Sequence, residues 1–531
     1  MDGQLDARRV CSLLHGIMPS SSFVNVFSVE SAARSVAYTA CSVFLILLLH
    51  SLVSAARLRH IPTEGSSTLP LLSFKGSFDF LRDLRGIFQR GYDKHKGKVF
   101  KVSLPDRWLV VVTGRELLGE LMRMPEDTIS FNHALGDLTG TTWIFGTRMI
   151  EDPWHIPLIR DKLTKHLTSS FGDLHDEVET AFKELIPRCD EEWVPVHAIK
   201  VARNVVARAS NRVFVGLPIC RNQGYLDLVV KLAVEVQKTR NKLLWIPQVI
   251  KGPAARLLSR IDSRIQQGMH YLGPVIQQRM AEMRKFGEDW PAKPDDLLQW
   301  TIEGVLARQA TMELVMRTMF LINFVAIHTT SNSFTHALYH LAASPHFIAP
   351  LREEIDAVVA AEGWTKAAMG KLWKLDSFLR ESLRHNSINP FSIRRKALKS
   401  FTFSDGTYIP KDTLLVMPAD ATHFDPENFI DAAVFDPWRS VRVKEQDHDP
   451  SKHQFITTSP EYIGWGHGKH ACPGRFFAAN ELKAMMAYVI ANYDVKFEKE
   501  GVRPENVHIG QTITPDPDAR VLFRQRKFPS I

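Results

Sequence analysis

Between Thr311 and Ser344 the chain runs for more than thirty residues without a glycine or proline, and most of those residues are apolar. At 1.5 Å per residue an α-helix of that length spans about 50 Å, enough to cross a whole domain. The chain is therefore read as mainly α with a small β region, an α+β fold packed along one long rod. The middle of the rod reads Asn323-Phe-Val-Ala-Ile-His-Thr-Thr-Ser331. Adjacent β-branched hydroxyls are poor helix formers and compete for the carbonyl one turn back, so the helix is expected to loosen there. On the residues alone this is a bend in a buried helix.

A second stretch carries chemistry. Gly464 to Phe477 is dense in glycine and ends at Cys472-Pro473. Glycine lets backbone approach a large flat ligand closely. Pro473 suits the first position of a helix, and Ala478, Leu482, Met485 and Val489 follow at helical spacing. Cys472 is thus expected at a helix N-terminus, where unpaired N–H groups and the helix dipole favour a thiolate that can bind metal. A phosphate loop is excluded, because Ile463 stands six before Lys469 where glycine is needed, and His470 follows it. A zinc site from His467, His470 and Cys472 lacks a fourth ligand nearby. A buried structural cysteine remains the plain alternative.

The rest of the chain bounds these readings. It has 531 residues, of which 45% are hydrophobic and 23% charged, with no internal repeat and no linker after residue 70, so one large domain is expected over 61–531. Formal charge is +8, but the basic residues are scattered without an aromatic-basic motif. That favours an anionic membrane face or acidic protein partner over nucleic acid. Five widely spaced cysteines and no Asn-x-Ser/Thr site point to a reducing compartment. Ser35 to Ala56 holds no charged residue and Arg57 and Arg59 follow it, which predicts one N-terminal transmembrane helix within an anchor over 1–60 and a cytosolic body. Lys98 to Thr113 reads as a hairpin around Pro105-Asp106, and Trp154 to Thr168 as a helix.

Phe-x-x-Gly-x-Arg-x-Cys-x-Gly is the haem-binding signature of the cytochrome P-450 family, and Trp465 to Gly474 resembles it with Gly468, Cys472 and Gly474 in register. Trp465 stands for the usual Phe and His470 for the usual Arg. The long helix resembles the family's distal-helix pattern at Ala326, Thr329 and Thr330, with His328 in place of the acidic residue. Glu381-x-x-Arg384 matches its Glu-x-x-Arg, and Phe435-Asp-Pro-Trp-Arg439 its Phe-x-Pro-x-Arg. All four motifs fall in the family's order.

The resemblance implies the cytochrome P-450 fold and a heme b cofactor whose iron takes Cys472 as axial ligand. It implies Thr329 and Thr330 as oxygen-activating groups, with His328 as a proton shuttle or as packing. Glu381, Arg384 and Arg439 become structural partners beneath the haem. His470, Arg395, His155 and Arg160 become candidates for the haem propionates, although Leu158 occupies the arginine slot of the usual Trp-x-x-x-Arg. Asn323, Phe324, Ala326, Ile393 and Ile513 are expected to line a substrate pocket. No nicotinamide fingerprint is present, so electrons are expected from an NADPH-cytochrome reductase at the endoplasmic reticulum membrane. The wording is similar to the fungal branch with ent-kaurene oxidase-like enzymes, which implies an apolar, terpenoid substrate. A reductase-independent isomerase or dehydratase, and a non-catalytic haem or apolar-ligand carrier, are the alternatives.

Overall fold

The computed structural model describes residues 70–104, 107–447, 449–509 and 511–527, with 55–65 and scattered positions between 34 and 53. The chain divides into two compact units, Met1–Arg57 and Leu58–Ile531. Most of the Ser35 to Ala56 run, and the Pro105-Asp106 turn, lie outside the described residues.

The elements that position the site are α1 (Pro70–Lys94), β1 (Val99–Ser103), β2 (Trp108–Val112), β3 (Ile129–Ser130), α2 (Thr164–Leu185), α3 (Ala198–Phe214), α4 (Gln223–Leu243), α5 (Met312–Ala343), α6 (Trp373–His385), β4 (Phe391–Ala397), β5 (Leu414–Pro418), α7 (Arg475–Asn492) and β6 (Thr512–Thr514). The long rod read from the sequence is α5. It is long and apolar enough to cross a membrane, yet 67% of its most apolar window is buried in protein, so it is a core helix. Helices α3, α4, α6 and α7 pack along it. Phe320, Phe334, Ala337, Leu338 and Leu341 of α5 join Met485, Met486 and Val489 of α7 in one hydrophobic core. Each such large side chain removed from water contributes about 1.5–3 kcal/mol.

The β region is small, as expected. One five-stranded sheet runs β1-β2-β5-β4-β3, antiparallel throughout except for the β2/β5 pair. The β1/β2 pair is the predicted hairpin. In β4 the register against β5 breaks between Ser392 and Arg395. Ile393 lies inside that break with φ at +48°, a backbone conformation that costs a β-branched residue roughly 1–2 kcal/mol. A second sheet pairs Val521–Gln525 with Val194–Val196 on one side and Tyr493–Lys496 on the other.

The helix expected over Trp154 to Thr168 has a more complex form. A short α turn at His155–Pro157 passes into a π turn at Leu158–Leu163 before α2 begins at Thr164. A π turn carries one residue more than an α turn, so groups flanking it at i and i+5 come closer to alignment than they would in an α-helix. That is the spacing of His155 and Arg160.

Candidate active site

Helix α7 begins at Arg475 with Gly474 as its cap, so Pro473 is not the first helical residue that the periodicity predicted. A turn takes up those two positions. Cys472 N donates to Trp465 O at 2.7 Å, and Arg475 donates to Cys472 O from its main-chain N at 3.4 Å and from Nη1 at 3.0 Å. The cysteine backbone is thereby fixed while the residue stays half-buried. The thiolate expected from the helix dipole is not favoured in the free protein. Burial pushes the Cys472 thiol up, against the pull of the Gly474 and Arg475 backbone N–H groups and the Arg475 guanidinium. A metal that coordinates sulfur removes that proton outright.

The glycines around it differ in role. Gly468 has φ +67°, a left-handed conformation that favours glycine, and a Cβ there would have to displace the tip of Met122, whose Cε lies 2.3 Å away. At Gly474 a Cβ would lie 3.5 Å from Ile159, an ordinary contact. Trp465 donates its Nε1–H to Phe455 O at 2.8 Å and meets the Phe455 ring edge-on.

Across the core, α5 stays helical through Asn323 to Ser331, and the expected loosening is absent. Thr329 Oγ1 donates to Val325 O at 2.8 Å and Ser331 Oγ to Ile327 O at 2.6 Å, which adds hydroxyl bonds to the ladder without breaking it. Val325 is 47% exposed in a helix otherwise closed by its neighbours, and Ala326 and Thr329 beside it are half-open. Phe324 packs beside this open turn with Phe145, ring centroids 6.4 Å apart.

Three expected lining or catalytic residues turn elsewhere. Asn323 is fully buried away from the open stripe, donating to Met319 O and accepting from Asn211 Nδ2 of α3 at 2.7 Å, because a buried amide needs both partners. Thr330 is 3% exposed, so of the pair only Thr329 is partly open. His328 stacks on Phe324, and its Nε2 has no hydrogen-bond partner. Burial, then the charges of Arg240 and Arg203, lower its pKa to about 3, which favours the neutral ring.

Glu381, Arg384 and Arg439 meet as the motif order implied. Arg384 grips Glu381 with two bonds of 2.8 Å, Arg439 Nε approaches the same carboxylate at 3.3 Å, and Arg384 also donates to the carbonyls of His423 and Ala432. Burial raises the Glu381 carboxyl, but Arg384 and His385 more than offset this and hold it well below the usual carboxylate range.

Arg395 is 2% exposed, and among the described residues its guanidinium donates to Arg394 O and Met122 Sδ. It lies over the Phe131 ring at 5.8 Å, and Phe131 stacks on His470 at 5.1 Å. Burial lowers the Arg395 guanidinium to about 10. His470 and Lys469 share Glu126, a carboxylate that no motif pointed to. His155 Nδ1 is buried without a partner, and burial lowers its pKa to about 4. Arg160 is exposed and pairs with its neighbour Asp161 at 2.9 Å, so its side chain joins none of these groups. Ile393 and Ile513 are both buried, and Ile513 N donates to Ile388 O at 3.0 Å.

A half-buried cysteine at the end of a glycine loop, a core helix with one open turn that holds a threonine, and a buried guanidinium fit a haem-thiolate protein. The cytochrome P-450 family model matches residues 69–523. Cytochrome P-450 monooxygenase 151 of Postia placenta is 45% identical over 472 residues, covering 88% of this chain and 94% of the relative. Cytochrome P-450 monooxygenase olcJ of Penicillium canescens is 32% identical over 91% of this chain and 92% of its own length. The chain belongs to the cytochrome P-450 family and is a haem-thiolate monooxygenase that takes electrons from a redox partner.

The residues fit that cofactor. Haem needs a sulfur donor, apolar surface over its faces and cations for its propionates. Cys472, the Val325–Thr329 turn and the buried Arg395 guanidinium answer those needs in turn.

Proposed function

We propose that this chain is a membrane-anchored monooxygenase of the endoplasmic reticulum, held by residues 1–60 with the 61–531 domain in the cytosol, that oxygenates an apolar secondary metabolite of terpenoid type. NADPH is the electron source through a cytochrome reductase. The observation that carries the reading is Cys472, half-open at a turn that Trp465 and Arg475 fix from either side. Bound as heme b, the cofactor supplies dioxygen activation, and a thiolate ligand donates the electron density that favours O–O cleavage.

The protein's part is to hold and to protonate. Cys472 Sγ would bind the iron, and Arg395, with His470 and His155, would hold the propionates. Glu381, Arg384 and Arg439 fix the loops beneath the haem. Thr329 Oγ1 gives its proton to Val325 O and keeps its lone pairs for an ordered water, so it positions the proton donor next to the reacting oxygen. Val325, Ala326 and Phe324 exclude bulk water from that proton path.

Carbon monoxide binding to the reduced protein tests the reading. The wild type is expected to show the Soret band of a thiolate-ligated haem, and Cys472→Ala to lose it. A band that survives in Cys472→Ala removes Cys472 from the iron.

A further inference from the structure

We propose that the substrate carries a carboxylate, held by Arg240 of α4 and Arg394 of β4 together with Gln511; this deepens the monooxygenase reading and rests on it. Arg240 is 6% exposed, its Nε–H is buried without an acceptor, and its Nη1 reaches only Gln237 Oε1, one turn earlier, at 3.3 Å. The Nε–H of Arg394 is likewise buried and unpartnered. Gln511 Nε2 is a third buried donor with no acceptor.

These groups belong to one site. Gln237, which braces Arg240, donates to Thr512 Oγ1 at 3.1 Å. Asn389, oriented to satisfy both neighbours, accepts from Arg394 Nη2 at 3.1 Å and donates to Gln511 O at 2.7 Å. Both guanidinium groups are therefore tied to a single turn, Gln511-Thr512, which leads into Ile513. Arg240 also lies close enough to His328, one residue before Thr329, for its charge to act on that ring.

Every orphan in this cluster is a donor. Burial, and for Arg240 the charge of Arg394, lower both guanidinium groups to about 10, and no carboxylate offsets either of them. Buried charges in folded proteins are normally paired. Elsewhere Arg384 with Glu381, Arg208 with Glu177, Arg264 with Glu235 and Arg279 with Asp296 follow that rule, while the buried Arg380 and half-buried Arg503 are met by carbonyl, amide and imidazole acceptors. Arg240 and Arg394 share one turn and keep unmatched Nε–H donors, and such paired donors suit a planar carboxylate. Arg394 alternates along the strand with Arg395, and its guanidinium lies over Phe391 while Arg395 lies over Phe131. The two arginines thus serve different anions.

The test uses the full-length holoenzyme and a panel of diterpene, triterpene and long-chain fatty acids, each beside its own methyl ester. Binding is read from the substrate-induced shift of the Soret band. On at least one scaffold the acid is expected to bind about ten- to a hundredfold more tightly than its ester, the range for hydrogen bonds to a charged group. Arg240→Gln and Arg394→Gln are expected to erase that preference, and Arg240→Lys to restore part of it. If no acid outbinds its ester, or if the preference survives in both glutamine variants, the inference is overturned. Loss of haem from Arg394→Gln also overturns it, by giving that guanidinium to a propionate. A wild type without the thiolate–carbon monoxide band fails the underlying reading instead, so the two failures are distinguishable.

Discussion

His328 stands where the family pattern has a carboxylate, and burial with Arg240 and Arg203 beside it keeps the ring neutral. On the proposed reading, proton delivery then falls to Thr329. Thr329→Ala is expected to keep haem and substrate binding while product per NADPH falls about ten- to a hundredfold, within the reach of one lost general-acid contact, and hydrogen peroxide rises. His328→Phe is expected to keep its coupling, since it replaces one stacked ring by another. A collapse of coupling in His328→Phe would return the shuttle to that histidine. At this scale the sequence was informative where a motif names the atom that reacts, as at Cys472 and Thr329. It was silent on Glu126, Arg240 and Arg394, because their roles depend on which strand face or helix turn meets them across the fold. Asn323 misled for the same reason: polarity within an apolar helix marks a buried amide pair as readily as a pocket.

At the level of elements, α5 was legible from its length and the β1/β2 hairpin from β-branched and aromatic residues around Pro105-Asp106, which are local signals. It missed the start of α7 by two residues, because a turn around Cys472 outweighed the preference of Pro473 for a first helical position. It also read the segment after Trp154 as a plain helix, since a π turn has no period of its own to detect. The Glu381–Arg384–Arg439 cluster shows how elements are joined. Its glutamate sits on α6, yet Arg384 reaches the carbonyls of His423 and Ala432, and Asp436 N donates back to Glu381 at 3.0 Å. One carboxylate thereby ties a helix to two loops. Glu381→Ala leaves two guanidinium groups without their anion and is expected to cost about 3–5 kcal/mol. Thermal melting with haem retention checks it: a variant that melts with the wild type would reduce the cluster to a bystander.

For the whole molecule, the anchor and the acid response are separable. Deleting residues 1–60 is expected to release holoprotein from membranes, measured by sedimentation, and full retention on the membrane would move the anchor into the body. The body's own pH dependence follows from its buried histidines. His155 is lowered to about 4, His328 and His423 to about 3, and His336 and His340 also lie well below the ordinary value, in each case mainly through burial. In the unfolded chain they take up protons near pH 6.5, while the folded chain refuses them until far lower. Their contribution to stability is therefore present above pH 6.5 and is lost as pH falls, by up to about 1.4 kcal/mol per unit for each ring. Glu481 has the opposite sign. Burial raises its carboxyl to about 8, against a bond from Ser210, so its contribution is full below pH 4.5 and is lost as pH rises through 8. Five rings outweigh one carboxyl on the acid side. The melting temperature is expected to drop steeply between pH 6.5 and 5, before ordinary carboxylates titrate, and Glu481→Gln should remove the opposing slope between pH 4.5 and 8, flattening the limb above pH 6.5 and steepening the acid drop. A melting temperature that holds level from pH 7 to 5 would mean that the buried rings find protons or partners in the folded state.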